Sequence, residues 1–79
     1  MPRFYFHLRD DVSADDEEGK ELPDIGAAQA QAEKYARALA AASVEERGIL
    51  NLDHRIEVTN EAGQDVLTVR FADVVRIEP

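Results

Sequence analysis

Two histidines, His7 and His54, and two serines, Ser13 and Ser43, are the first candidates for chemistry in this chain. A catalytic or metal centre needs such groups to converge with a carboxylate or a hydroxyl. Parity separates the imidazoles. His7 takes the outward position of one alternating segment and His54 the inward position of another, so one surface and one half-buried histidine are expected. Neither serine sits in a nucleophile elbow, and four scattered glycines make no phosphate cradle. The absence of cysteine excludes a thiolate metal site and a disulfide staple. No catalytic residue, metal ligand set or cofactor is expected, and the chain reads as a non-enzyme.

The segment Asp10 to Glu21 is the next candidate, because seven of its twelve residues are acidic. An EF-hand loop started at Asp11 would place Ser13, Asp15 and Glu17 at the third, fifth and seventh positions. It then fails, with Asp16 where the turn needs glycine and Leu22 where a bidentate glutamate is needed. A weak site for a metal or small ligand is an alternative there. A run of charge ordinarily makes a solvated loop that keeps the protein soluble.

The third candidate is a surface. Arg3, Tyr5, His7 and Arg9 share one side of the first alternating segment, and Arg55 and Arg70 share the corresponding side of two later ones, together with Glu57, Thr59 and Thr68. Four of the nine cationic residues collect on this side although the formal charge of the chain is −8. A basic sheet face with an aromatic plane at Tyr5 is the kind of platform that stacks and neutralises single-stranded nucleic acid. The net charge opposes phosphate, so nucleic acid is the less favoured partner. An acidic protein, or the acidic loop of another copy, fits the same face by charge complementarity.

These residues have to be positioned by few elements, since 79 residues make one small domain, residues 1–79. Arg3 to Arg9 alternates as a half-buried strand, with Phe4, Phe6 and Leu8 inward. A short strand within Glu18 to Leu22 would run back beside it. Asp24 is suited to cap a helix that ends at Arg47 with Gly48 beyond it. Its apolar stripe reads Ile25, Ala28, Ala32, Tyr35, Leu39 and Ala42, and Ala36, Ala38, Ala40, Ala41 and Ala42 make a small-residue stretch open to close approach of another chain. Arg55 to Asn60 and Leu67 to Phe71 alternate about Glu61–Gln64, a hairpin that pairs Val58 with Leu67 and Ile56 with Val69, Gly63 being left-handed. Ala72 to Ile77 reads as a bulged continuation or short strand. The expected fold is α+β in the order β(β)αββ, an antiparallel sheet of three to four strands with one long helix on one face.

The order of Pro2–Arg9, Asp15–Asp24, an Ala-rich helix, Ile56-Glu57-Val58-Thr59 and Leu67–Asp73 resembles a family of short, mostly alphaproteobacterial single-domain proteins catalogued as a domain of unknown function. Leu22-Pro23-Asp24 before the helix is loosely similar to HicB-like antitoxins. The first resemblance implies a stand-alone fold without an assigned activity; the second implies an antitoxin-like regulator.

The opening residues lack the pattern of a signal peptide, and no uncharged run approaches the ~18 residues of a membrane span, so a cytoplasmic setting away from membranes is expected. The chain reads as a protein interaction module that self-associates as a homodimer or binds another protein. Its binding surface would be Arg3, Tyr5, His7, Arg9, Arg55 and Arg70.

Overall fold

The computed structural model describes residues 1–11 and 13–79. Strand β1 spans Arg3–Arg9, β2 Lys20–Glu21, helix α1 Ile25–Arg47, β3 Arg55–Thr59, β4 Asp65–Arg70 and helix α2 Phe71–Val74. The strands form one antiparallel sheet in the order β2-β1-β3-β4, and α1 lies across its apolar side, over β3 and β4. The α+β architecture expected from the alternation is therefore the observed one.

Local chemistry explains the boundaries of α1. The Asp24 side chain accepts the Ala27 amide at 2.8 Å, satisfying one of the orphan donors of the first turn. At the other end Gly48, with φ of 69°, returns its amide to the Val44 carbonyl. A left-handed residue is what this C-terminal turn requires, and glycine takes that conformation without strain. In the hairpin, Val58 faces Leu67 and Ile56 faces Val69, the expected register. Asn60 holds the turn by accepting the Ala62 and Gln64 amides at 2.9 and 3.0 Å.

The core differs from expectation on the helix. Its buried row is Ala28, Ala32, Ala36 and Ala40, while Ile25, Tyr35 and Leu39 are 52%, 36% and 37% exposed. Residues four apart share a face, and a methyl-only row lets the backbone settle close to the sheet, where Phe4, Phe6, Ile56, Val58, Val69 and Phe71 fill the interior. Ala36 and Ala40 thus serve the fold itself and are not open to a second chain.

The tail is the other departure. Phe71 ends the apolar series of β4, but its amide bonds the His54 carbonyl at 2.8 Å and the chain turns into α2 instead of continuing as strand. Asp73 starts that turn by accepting the Arg70 amide at 2.9 Å. A helix of 23 residues rises ~34 Å, longer than the strands beneath it. Leu50, Val74 and Val75 pack against the core where α1 outruns the sheet. Among the described residues, no helix is long and apolar enough to cross a membrane.

Candidate functional site

The side of the sheet that α1 leaves uncovered carries Arg3, Tyr5, His7 and Arg9 from β1, Arg55 and Glu57 from β3, and Thr68 and Arg70 from β4. Antiparallel register sets Arg9 opposite Arg55 and Arg55 opposite Arg70, a row of three guanidinium groups across three strands. Like charges directly opposite repel, so such a row needs compensation. Glu57 supplies it with both oxygens, Oε1 accepting from Arg9 Nε and Oε2 from Arg55 Nε, each at 2.9 Å. Asp15 takes the other branch of Arg9 at 2.7 Å, and Asp73 lies 3.7 Å from Arg70. Arg3, at the far end of β1, donates to the Glu18 carbonyl at 2.8 Å and approaches Glu21 at 3.4 Å.

The acidic segment is the source of much of this compensation. It folds back along the edge of β1: Leu8 and Ala14 exchange both backbone hydrogen bonds at 2.9 Å, and Asp16 Oδ2 accepts the Phe6 amide at 3.1 Å. Asp16 Oδ1 accepts the Glu18 and Gly19 amides, both at 3.1 Å, an Asx-type turn that reverses the chain toward β2. The Asp16 amide in turn donates to His7 Nδ1 at 3.1 Å, which leaves Nε2 to donate to Thr59 Oγ1 at 2.9 Å. Gly19, with φ of 70°, completes the reversal, and a Cβ there would stand 2.9 Å from the Phe4 carbonyl oxygen.

These contacts displace the ionisation of four groups. The Arg9 hydrogen bond and charge hold the Asp15 carboxyl below the usual range, and reciprocally Asp15, then Glu57, raise Arg9. Arg55, then Arg9, lower Glu57 against the opposing effect of burial. For Asp16 burial acts upward, but the Gly19, Phe6 and Glu18 amides outweigh it and the carboxyl ends below its ordinary value.

Together these elements form a shallow depression of about 530 Å³ on the outer face, lined by Tyr5, His7 and Arg9. Its rim carries Asp15, Asp16, Glu17, Glu57, Glu61 and Asp65, six carboxylates against the single guanidinium of Arg9. The expectation of a basic face is thereby corrected. The strands do present the cations, but Glu57 on β3, Asp15 of the acidic segment and Asp73 of α2 stand against them. The six predicted residues are also not one cluster: Tyr5, His7 and Arg9 line the depression, whereas Arg3 and the Arg55–Arg70 pair flank it.

His7 and His54 do not meet. His54 has a side chain 12% exposed, packs edge-on against Phe71 at 5.7 Å, and has Asp11 Oδ1 3.6 Å from Nε2. Among the described residues, no group of three or more His, Cys, Asp or Glu is placed to hold a metal ion.

The sequence matches one family model, described as Domain of unknown function (DUF6894), over residues 3–72. The chain belongs to this family. The match takes in all four strands and α1, so the DUF6894 region contains the outer face, the acidic segment and the hairpin. No curated protein and no solved structure matches the chain.

Within the DUF6894 fold, Asp16 and Glu57 are the residues that sequence reasoning undervalued. Glu57 was visible between two outward arginine rows but looked like an ordinary solvated carboxylate. For Asp16 the available signal was local, an Asp three residues before a glycine in a segment that had to reverse direction.

Proposed function

We propose that this chain is a non-enzymatic protein interaction module that self-associates. One observation carries this: five of the six outer-face candidates, Arg3, His7, Arg9, Arg55 and Arg70, already have partners within the chain. Groups so occupied are poor acids or bases, and apolar surface and backbone remain for a partner. The flanks of α1 offer such surface. Tyr35 and Leu39 stand over a shallow groove with Phe6, Leu8 and Ile56, and Ala41 and Val44 line another with Leu50 and Val75. Val44 and Ile49 are 50% and 47% exposed beside it, more apolar surface than so small a core can spare without gain elsewhere.

Gel filtration with in-line light scattering tests the proposal. A mass that rises from one chain toward two between low and high micromolar protein supports it. A constant single-chain mass at high micromolar concentration overturns it.

A further inference from the structure

The two long edges of the sheet are in opposite states. On β1 the outward backbone groups are used: Leu8 bonds Ala14 in both directions, the Phe6 amide bonds Asp16, and Arg3 and Phe4 pair with β2. Backbone groups alternate in direction along an antiparallel strand, so Tyr5, His7 and Arg9 must direct theirs to β3. Their partners Thr59, Glu57 and Arg55 therefore face β1, while Ile56 and Val58 face β4. Leu67 and Val69, opposite Val58 and Ile56, accordingly bond β3. Between them, Thr68 points its amide and carbonyl off the sheet. Arg70 shares that parity, and its amide is indeed outside the ladder, bonded to Asp73.

We propose that this free edge is the seam of a homodimer, β4 pairing antiparallel with β4 of a second copy about a two-fold axis at Thr68, so that the two Thr68 residues exchange backbone hydrogen bonds and Val66 faces Arg70. The inference rests on the self-association proposed above and adds its location. The four-stranded sheet becomes one continuous sheet of eight strands across two copies. Natural edges are ordinarily protected by proline, lysine or an inward charge. Asp65-Val66-Leu67-Thr68-Val69-Arg70 has none of these on its apolar face; a bulge at Val66, where Thr59 pairs with Asp65 and Val58 with Leu67, is confined to one end and leaves Leu67–Arg70 regular, with Val69 buried and Leu67 half-buried beside it.

Charge selects the occupant. Copies of a chain with formal charge −8 repel over most of their surface. The edge is the exception, because Asp65 and Arg70 stand at its opposite ends. Antiparallel pairing about Thr68 sets Arg70 of each copy opposite Val66 and beside Asp65 of the other, twice over, where Asp65 adds a second carboxylate to the exposed guanidinium that Asp73 approaches at 3.7 Å. An isologous contact of this kind is closed and leaves neither copy's β4 edge free. A seam this short is smaller than the ~1,200–2,000 Å² of stable interfaces, so dissociation is expected at about micromolar or weaker concentrations.

The test uses the full chain at about 200 µM, well above a micromolar dissociation constant. Light scattering should report a dimer for the wild type. Thr68→Pro removes the outward amide without touching the ladder to β3, and should weaken dimerisation at least ~10-fold while far-UV circular dichroism stays unchanged. Asp65→Arg alone should weaken the dimer, and Asp65→Arg/Arg70→Asp should restore it. A wild-type monomer overturns the seam together with self-association. A dimer that persists in folded Thr68→Pro overturns the seam alone. If Thr68→Pro does not fold, the charge pair decides, and failure of the double exchange to restore what the single one loses overturns the seam.

Discussion

Replacing Asp16 tests whether the acidic segment is part of the folded structure or merely solvated. Its carboxylate accepts three amides, from Phe6, Glu18 and Gly19, each at 3.1 Å. A half-buried hydrogen bond to a charged acceptor contributes on the order of 1 kcal/mol or somewhat more, so Asp16→Ala should cost ~3 kcal/mol. Asp16→Asn retains an oxygen for Glu18 and Gly19 but turns an NH₂ toward the Phe6 amide, and should cost about half as much. A domain of this size is stable by only ~4–12 kcal/mol, and each kcal/mol moves its midpoint by roughly 4–8 °C. Urea unfolding followed by circular dichroism measures both losses, and Asp16→Ala should lower Tm by ~12–24 °C. Asp16→Ala within ~0.5 kcal/mol of wild type would refute the claim that this side chain fastens the segment to β1.

Four further outcomes follow from the same contacts. Asp15, Asp16 and Glu57 have carboxyls lowered in the folded state, so their contribution is present above the ordinary carboxylate range near pH ~4 and lost as pH falls through the lower folded values. The urea midpoint should hold between neutrality and about pH 5 and then fall, with a shallower acid slope in Asp16→Asn. Gly19→Ala must place a Cβ 2.9 Å from the Phe4 carbonyl at φ of 70°, and should destabilise by at least ~1–3 kcal/mol in chemical denaturation. Ala36→Leu overpacks a site with 0% exposure and should cost ~1–3 kcal/mol or more, whereas Ala38→Leu on the exposed side should stay within about 0.5 kcal/mol in the same assay. Val58→Ala opens a cavity at the best-buried large side chain, with a loss of ~2–4 kcal/mol expected by urea titration.

How far the sequence revealed this fold depends on the range over which each feature is decided. The β3–β4 register was legible because a one-residue slip would face Val58 with Val66 and turn Leu67, Val69 and Phe71 to water. The ends of α1 were legible because Asp24 and Gly48 act within a single turn. The buried row of α1 was not, since Ile25, Tyr35 and Leu39 outrank alanine in hydrophobicity, yet only alanine allows the helix to sit so near the aromatic residues of the sheet. Phe71 to Val74 misled for a related reason: Phe71 belongs to the β4 series by parity, and its departure is determined by the distant His54 carbonyl. At the candidate site, strand parity placed Arg3, Tyr5, His7, Arg9, Arg55 and Arg70 on one face as observed. Of the groups that neutralise them, Glu57 shares the face by the same parity, Asp73 follows from the turn into α2, and Asp15 arrives through folding of the acidic segment, which composition alone could not orient.

Amide hydrogen exchange resolved by residue, repeated from about 10 to 500 µM protein, addresses the contrast between the two sheet edges most directly. The account predicts Phe6 and Leu8 amides that are slow at every concentration, and a Thr68 amide that exchanges freely in dilute protein and becomes protected as concentration rises. Rapid exchange at Phe6 and Leu8, or a Thr68 amide whose protection ignores concentration, would contradict it.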